Sequence, residues 1–318
     1  MALSSRLKMT TNQVHKKREN EVKVTVVIPA FNEEAAIGKT ISKIRRLYPN
    51  FQILVVDDGS SDNTAKVALE AGAEVVRHPY NIGNGAAVKT GIRHAQGKYT
   101  VLMDGDGQHR PEDIKRLLEY SDRYDLVVGA RDAKGQASLA RSIANWCYNK
   151  LASYVGKFQI KDLTSGFRIF ETATVRRYLY LFPNTFSYPT TSTLAYLRSG
   201  LTIKYVPIKV KKRIGKSKIS ILRDGSRFIL IILRIATLYS PLRVFLPVSI
   251  SFFLLGTFYY LYTYTFYHRF TNMSALLLSV SIMVFLLGLV SEQITQMRYD
   301  RVEDTFEAKV EKVTYNKE

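Results

Sequence analysis

Two carboxylates and an amide occupy alternate positions in Asp104-Gly105-Asp106-Gly107-Gln108. They follow Tyr99-Thr-Val-Leu-Met103, a β-branched and apolar run with the composition of a buried strand. Residues two apart in a strand point to the same face, so a brief continuation of strand geometry would put Asp104, Asp106 and Gln108 on one side. The intervening glycines leave the backbone open to close approach by a ligand. Clustered hard oxygens of this kind suit Mg²⁺ or Mn²⁺, which keeps several waters and shares its remaining positions with phosphates. Taken alone, the same five residues also describe a solvated acidic turn. The elements that must position them bear on the choice.

Those elements alternate strand and helix. Val24-Thr-Val-Val-Ile28 reads as a buried strand ended by Pro29. Asn32 is placed to cap a helix that carries Glu33 and Glu34 in its first turn and stops before Pro49. Phe51 to Val56 is a second strand, ending in Asp57-Asp58-Gly59-Ser60-Ser61. A helix over 62–71, a short strand over 74–77 and a helix over 85–96 follow, and Pro111 opens another helix after the acidic motif. Leu126-Val-Val-Gly129 is a further strand. This rhythm predicts an α/β fold with a mostly parallel sheet, helices on both faces, and ligands at the carboxyl ends of the strands. Asp57 or Asp58 at such an end could hold a ribose hydroxyl or a base edge, or serve as a cap or turn residue. Asn81-Ile-Gly83-Asn-Gly85-Ala-Ala-Val-Lys89-Thr-Gly91 leads glycines into a helix whose N–H groups could meet a phosphate, although its third glycine is misplaced for a dinucleotide fingerprint. Gly38-Lys39-Thr40 and Gly215-Lys216-Ser217 imitate the end of a P-loop. Glu33 and Val210 stand where that loop needs its first glycine, which excludes the ATPase reading.

The chain of 318 residues has room for an ordinary domain and more. Lys and Arg number 46 against 27 Asp and Glu, a net charge of +19 that points to an anionic partner: nucleic acid, anionic lipid or phosphorylated substrate. One cysteine, Cys147, excludes an intrachain disulfide and fits a reducing compartment. Residues 1–21 are basic, lack the apolar core of a signal peptide, and read as a flexible arm. The last third differs in kind. Ile219 to Tyr239 sets Arg223, Arg227 and Arg234 within about 40° of one another on a helix, which suits a helix lying beside anionic headgroups. Val244 to Tyr264 and Met273 to Ser291 are uncharged and long enough to span a bilayer, with an aromatic belt of tyrosines (259, 260, 262, 264 and 267) at the far end. Arg234 and Arg243 precede the first span, and Arg298 and Arg301 follow the second. Both termini and the α/β domain are therefore expected on the cytoplasmic face of the plasma (inner) membrane or endoplasmic reticulum. The expected divisions are an arm (1–21), an α/β domain that carries the acidic motif (22–218), an amphipathic juxtamembrane region (219–243), a transmembrane hairpin (244–293) and a cytoplasmic tail (294–318). A nucleic-acid binder would explain the charge but not the spans, so no nucleic acid is expected as partner.

Val-Ile-Pro-Ala-Phe-Asn-Glu-Glu, Val-Asp-Asp-Gly-Ser-Ser-Asp-Asn-Thr, Asn-x-Gly-x-Gly-Ala-Ala-x-Lys-x-Gly and Asp-Gly-Asp-Gly-Gln occur in that order. Together they resemble a family 2 glycosyltransferase of the GT-A fold. The nearest branch is the polyprenyl-phosphate glycosyltransferases, which include dolichol-phosphate mannose synthase and bacterial polyisoprenyl-phosphate hexosyltransferases. The match covers about Val22 to Lys218. The resemblance implies that Pro29, Ala30, Asn32, Glu33 and Asp58 line the nucleotide, with Asp57 and Lys89 in the same donor site. It places Asp104, Asp106 and Gln108 around a metal and the donor diphosphate, Asp106 and Gln108 being the more direct ligands. Asp162-Leu-Thr-Ser165-Gly166-Phe-Arg168 resembles the family's Asp-x-Thr-Ser-Gly-Phe-Arg element near the sugar and acceptor, which brings Arg168 to the reacting groups. Arg131 and Arg141 would hold the acceptor phosphate, with Ser142 able to shift into that role. Arg213, Lys216 and Lys218 resemble a loop that closes over the donor diphosphate, although the same basic run also suits lipid headgroups.

The reaction this implies is inverting transfer of a hexose from a nucleotide diphosphate sugar, of GDP-mannose or UDP-glucose type, to undecaprenyl or dolichyl phosphate. The acceptor is already an anion, so no strong general base is required. A processive polysaccharide synthase of the same fold is an alternative. Its Gln-x-x-Arg-Trp element is missing, because the sole tryptophan, Trp146, follows Ala144-Asn145. A non-catalytic membrane-anchored binder of sugar nucleotides or lipids is another. Anionic lipids are expected partners, and a homo-oligomer is compatible with the sequence.

Overall fold

A computed structural model describes residues 23–131, 146, 148–150, 152–154, 156–184, 187–210 and 239–303. The expected arm, Cys147, Arg141, Ser142, Arg213, Lys216, Lys218, the arginines at 223, 227 and 234, and the tail beyond 303 lie outside the described residues.

Seven strands, β1 (Val24–Ala30), β2 (Gln52–Asp57), β3 (Glu74–Arg77), β4 (Tyr99–Leu102), β5 (Leu126–Arg131), β6 (Arg168–Glu171) and β7 (Ile203–Ile208), form one sheet in the order β3-β2-β1-β4-β6-β5-β7. β1 runs parallel to β2 and β4, β2 to β3, and β5 to β7, while β6 lies antiparallel between β4 and β5. The sheet is thus mixed, with a single strand reversed. β6 is only four residues long, too short to show a period in the sequence.

Helices that cover the sheet among the described residues include α1 (Glu34–Leu47), α2 (Thr64–Glu70), α3 (Asn84–His94), α4 (Asp113–Leu118), α5 (Thr172–Tyr178) and α6 (Tyr188–Arg198). Alternate strand residues serve opposite faces. Val26, Ile28, Ile53, Val55 and Val101 join Ile37, Ile41, Ile44, Ala68, Ile114 and Leu117 from α1, α2 and α4. Val27, Leu54, Leu102, Leu126 and Phe170 join Val88, Ile92, Val175, Tyr178, Leu194 and Tyr196 from α3, α5 and α6. Helices on both faces explain why every residue of β1 is buried and why its sequence is apolar without alternation.

Three boundaries differ from expectation. β1 continues through Pro29 to Ala30. Lys23 and Val27 accept bonds from Tyr99 and Met103 on the β4 side, so Pro29, in phase with them, directs its missing N–H to where β4 pairing has ended. Asn32 is not the α1 cap; it adopts a left-handed φ of 54°, and its Oδ1 accepts the Ser61 N–H at 2.9 Å. α2 begins at Thr64 rather than at Asp62, whose Oδ1 accepts the Thr64 N–H at 3.0 Å.

Two further helices, α7 (Pro241–Tyr267) and α8 (Asn272–Glu303), are long and apolar enough to cross a membrane. They pack antiparallel through small residues, as helices in lipid must when apolar surface alone supplies no drive. Ser249 and Ser281 exchange hydroxyl-to-carbonyl bonds of 3.0 and 2.9 Å. A Cβ on Gly288 would lie 2.8 Å from Phe245 Cβ, so only glycine allows this approach. α7 starts at Pro241 rather than Val244, and the expected 293/294 boundary falls inside α8.

At the amino ends of the strands, Thr25 ties three segments together. Its hydroxyl donates to Gln52 Oε1 (2.7 Å) and accepts the N–H groups of Gln96 (3.1 Å) and Gly97 (2.9 Å). Thr25→Val should lower stability by about 1–3 kcal/mol, because the Gly97 N–H is left buried without an acceptor. Urea unfolding of solubilised protein measures this; donor binding at the opposite end of the sheet should be unchanged.

Candidate active site

The chain leaves β1 towards β2 on one side and returns in β4 on the other, so a crevice opens at the carboxyl end of β1. β1 pairs with β2 as far as Ala30↔Asp57 but with β4 only to Val27↔Leu102. The acidic motif lies in that gap. A Cβ on Gly105 would be 3.5 Å from the Pro29 carbonyl oxygen and 3.3 Å from Ile37 Cδ1, so the motif packs directly on the end of β1.

Strand geometry does not extend into the motif. β4 stops at Leu102, residues 105–106 turn, and Gly107 takes a φ of 73°. The Gln108 N–H donates to Asp106 Oδ1 at 3.1 Å, and Asp106 is buried (7 % exposed). The period-two argument for Asp104, Asp106 and Gln108 is therefore replaced by a turn. Asp104 faces the segment 162–168 instead: a Cβ on Gly166 would fall 2.8 Å from Asp104 Oδ2 and 2.9 Å from Tyr188 Oη. His109 Nε2 lies 3.3 Å from Asp104 Oδ2, and its ring packs on Phe167 at 5.1 Å. Gly166 therefore has no room for a side chain. Asp104, Asp106 and Gln108 supply two carboxylates and one amide within five residues, hard oxygens of the kind that Mg²⁺ or Mn²⁺ takes together with water and phosphate. Among the described residues no three His, Cys, Asp or Glu side chains form a metal cage.

The 162–168 segment is held by two arginines. Arg131, at the end of β5, makes a two-point pair with Asp162 (Nε to Oδ2 2.8 Å, Nη2 to Oδ1 2.9 Å) and donates to Thr164 Oγ1 at 2.6 Å. Burial opposes the charge of Arg131, but Asp162, with Asp104 behind it, outweighs burial and raises the guanidinium above its usual value. Burial likewise pushes the Asp162 carboxyl up, and Arg131 more than reverses this, holding it below its ordinary 3.8. Arg168 is fully buried. It donates to the carbonyls of Ser165 (2.6 Å) and Leu163 (3.0 Å) and to Ser192 (3.0 Å) and Thr193 (2.7 Å) of α6. Its guanidinium braces the loop rather than facing the crevice.

The paired aspartates after β2 also serve loops. Asp58 Oδ1 accepts from Ile82 N–H (3.0 Å) and lies 2.7 Å from His78 Nδ1, while Oδ2 accepts from Gly83 N–H (2.8 Å). The glycine-rich approach to α3 thus has the N–H groups of Ile82 and Gly83 taken by a carboxylate of the protein itself. Asp57 Oδ1 accepts from Ser60 N–H (3.0 Å), and Arg77 Nε is 3.1 Å from Oδ2 in an ion pair off hydrogen-bond alignment. Lys89 on α3 donates to the Phe182 carbonyl (3.2 Å) and to Asn184; burial, then Arg93, lowers its pKa. Pro29 and Ala30 end β1, and Asn32 and Glu33 follow directly before α1, at the carboxyl end of that strand.

His78, His109 and Tyr188 were not singled out by sequence reasoning. His109 follows Gln108 directly, so extending the acidic motif by one residue would have found it. Nothing in the sequence links His78 to Asp58 or Tyr188 to Gly166.

The Arg131–Asp162 pair has a signature in pH. A depressed folded pKa stabilises fully above the unfolded value and loses its contribution as pH falls through the folded one. The difference in unfolding free energy between wild type and Asp162→Asn should be level from about pH 7 to 5 and shrink below about pH 4. Urea midpoints across that range measure it; a gap widening towards acid would contradict the pairing.

Comparison with known proteins agrees with this fold. Residues 25–180 match the Glycosyl transferase family 2 profile, and residues 240–297 match the GtrB C-terminal hairpin. An uncharacterized protein of Methanocaldococcus jannaschii is 32% identical over 214 residues, covering 64% of this chain and 86% of that one. An undecaprenyl-phosphate mannosyltransferase of Micrococcus luteus is 29% identical, covering 63% of this chain and 88% of that one. Glucosyl-3-phosphoglycerate synthase from Mycobacterium tuberculosis, solved with Mn²⁺, uridine-diphosphate-glucose and phosphoglyceric acid, shares the fold at a TM-score of 0.55 and 20% identity, over 68% of this chain and 79% of that one. The sheet, the acidic turn at its switch point and the apolar hairpin thus belong to one family: the chain is a family 2 glycosyltransferase with a GtrB-type C-terminal hairpin.

Proposed function

We propose that the protein transfers a hexose from a nucleotide diphosphate sugar to a membrane polyprenyl phosphate, with inversion at the anomeric carbon. The observation that carries this reading is the union, in one chain, of an acidic turn at the sheet's switch point with a hairpin of two membrane-length helices. A soluble acceptor would not need the hairpin. The Micrococcus luteus relative, named for an undecaprenyl-phosphate acceptor, supports the same class of lipid.

An acceptor phosphate oxygen attacks the anomeric carbon and forms the new C–O bond. The bond from that carbon to the donor diphosphate breaks, and the nucleoside diphosphate leaves with the electron pair. No proton has to move, so no general base is required. A divalent cation, for which Mn²⁺ in the Mycobacterium tuberculosis neighbour is a precedent, would neutralise charge on the diphosphate. Asp106 and Gln108 would hold it, with Asp104 beside them. Asn32 and Glu33 on the β1 side would border the nucleotide; Asp57, Asp58 and Lys89 would act by holding the loops around it. Arg131, kept charged by Asp162, would orient the acceptor phosphate together with Arg141 or Ser142. Arg213, Lys216 and Lys218 would cover the donor diphosphate. Arg168 would act through the loop it braces. The catalytic domain would face the cytoplasm, where nucleotide sugars and anionic lipids are found.

Membranes incubated with a panel of labelled nucleotide sugars should yield one acid-labile lipid product, and a panel with no lipid-linked label would refute the reading. Asp106→Asn should lower turnover at least about a hundredfold with the fold intact, since its carboxylate acts where charge develops. Excess chelator should abolish turnover as well; undiminished activity in chelator would exclude metal dependence. Arg131→Lys keeps a charge but loses the two-point geometry, and should raise the KM for the acceptor while leaving that for the donor unchanged.

A further inference from the structure

We propose that α6 is a strut that sets the depth of the acidic turn relative to the membrane, and that Arg198 and Glu292 are its positioning residues. The inference rests on the reading of the acceptor as a membrane lipid. α6 has 11 residues and is about 16 Å long. It is buried from Tyr188 to Tyr196, so it moves as one body with the core around it.

Its amino end meets the active site. Tyr188 Oη is 2.9 Å from where a Gly166 Cβ would stand, and Asp104 Oδ2 is 2.8 Å from the same point. One turn on, Ser192 and Thr193 accept from Arg168 and so hold the 162–168 loop. Its carboxyl end meets the hairpin. Arg198 Nη2 lies 3.3 Å from Glu292 Oε1 on α8, and Nη1 donates to the Tyr239 carbonyl. Glu292 Oε2 accepts the Leu242 N–H at 3.3 Å, one of the donors that the first turn of α7 cannot satisfy internally. Tyr239 is buried in the catalytic domain's core, and its hydroxyl donates to the Thr191 carbonyl at 3.1 Å.

A single carboxylate therefore joins α6, α7 and α8. The pair is 20% and 26% exposed, and Glu292 lies near the carboxyl end of the membrane-length stretch Asn272–Met297. An ion pair fully exposed at the surface contributes little and would fix nothing. Here both partners carry further backbone bonds, and a carboxylate at the end of a membrane-length helix needs its partner.

The consequence concerns alignment. A lipid phosphate is confined to headgroup depth, so tilting the domain on its hairpin displaces the attacking oxygen. Misplacement of about 1 Å can cost up to about a hundredfold in rate. A short, water-soluble prenyl phosphate carries no such constraint.

Glu292→Gln and Arg198→Gln should each lower kcat on a long-chain polyprenyl phosphate in phosphatidylglycerol-containing vesicles by about tenfold, with the donor KM unchanged. Activity on a short soluble prenyl phosphate should match wild type. The charge-swapped double variant, Arg198→Glu with Glu292→Arg, should recover long-chain rate relative to either single change. Equal loss with both acceptors, or no loss with the long one, would overturn the proposal. Hydrogen exchange gives a readout independent of activity, and Glu292→Gln alone carries it if Arg198→Gln fails to fold. The amides of Ser199 and Leu242, at the junction that Glu292 holds, should exchange several-fold faster in Glu292→Gln, and unchanged protection there would overturn the strut. A wild-type protein inert towards both acceptors would instead refute the functional reading, leaving hydrogen exchange to decide the strut.

Discussion

The Arg168 guanidinium is 0% exposed, yet it is a group that water would stabilise strongly. Burial lowers its pKa, while Tyr205, Tyr188 and Asp162 oppose that shift. It can stay in place only because acceptors reach it from two elements, the carbonyls of Leu163 and Ser165 within its own loop and the hydroxyls of Ser192 and Thr193 on α6. Leaving one such donor unpaired costs about 1–3 kcal/mol, so the loop and α6 are locked to one another. Ser165 reinforces the lock by donating to the Gly129 carbonyl at 2.6 Å. The position of Gly166, and through it that of the Asp104 carboxylate, follows from this buried charge.

The acidic residues at the strand ends consequently divide into two groups. Asp57, Asp58 and Asp162 are spent on backbone N–H groups, a histidine and two arginines, and they shape the loops. Asp104 and Asp106 sit on the turn where β1 and β4 part. The division has a simple cause. Loops that leave parallel strands in a sheet covered on both faces must pair their own polar groups, and short carboxylates do this at little entropic cost. At the switch point the topology parts neighbouring strands, which is where open α/β sheets take their ligands.

The hairpin extends the same logic to a second solvent. Within lipid, α7 and α8 meet through glycine contacts and reciprocal serine bonds. At their junction with the catalytic domain the chemistry changes to an ion pair, a tyrosine inserted in the core and a capped helix end. Both junctions are specific in geometry, which the proposed transfer from a soluble donor to a membrane acceptor would demand.

Much of this was legible in the residue order. The apolar runs of β1, β2 and β4, the acidic motif after β4 and the two uncharged stretches near the carboxyl end determine an α/β sheet, its open end and a membrane hairpin, because burial on both faces and bilayer thickness each demand a distinctive run of apolar residues. What escaped the sequence was decided by contacts between distant segments. Arg168 reads as a reacting group in its motif, but α6 turns it into a brace. The Gly83 approach to α3 reads as a phosphate cradle, but Asp58 takes its N–H groups. Asn32 reads as a cap, but Ser60 and Ser61 draw it into a left-handed bend. In each case local chemistry specified what the group could bind, and only the packed fold decided which partner arrived first, since a buried donor or acceptor is satisfied by whatever the tertiary structure sets beside it.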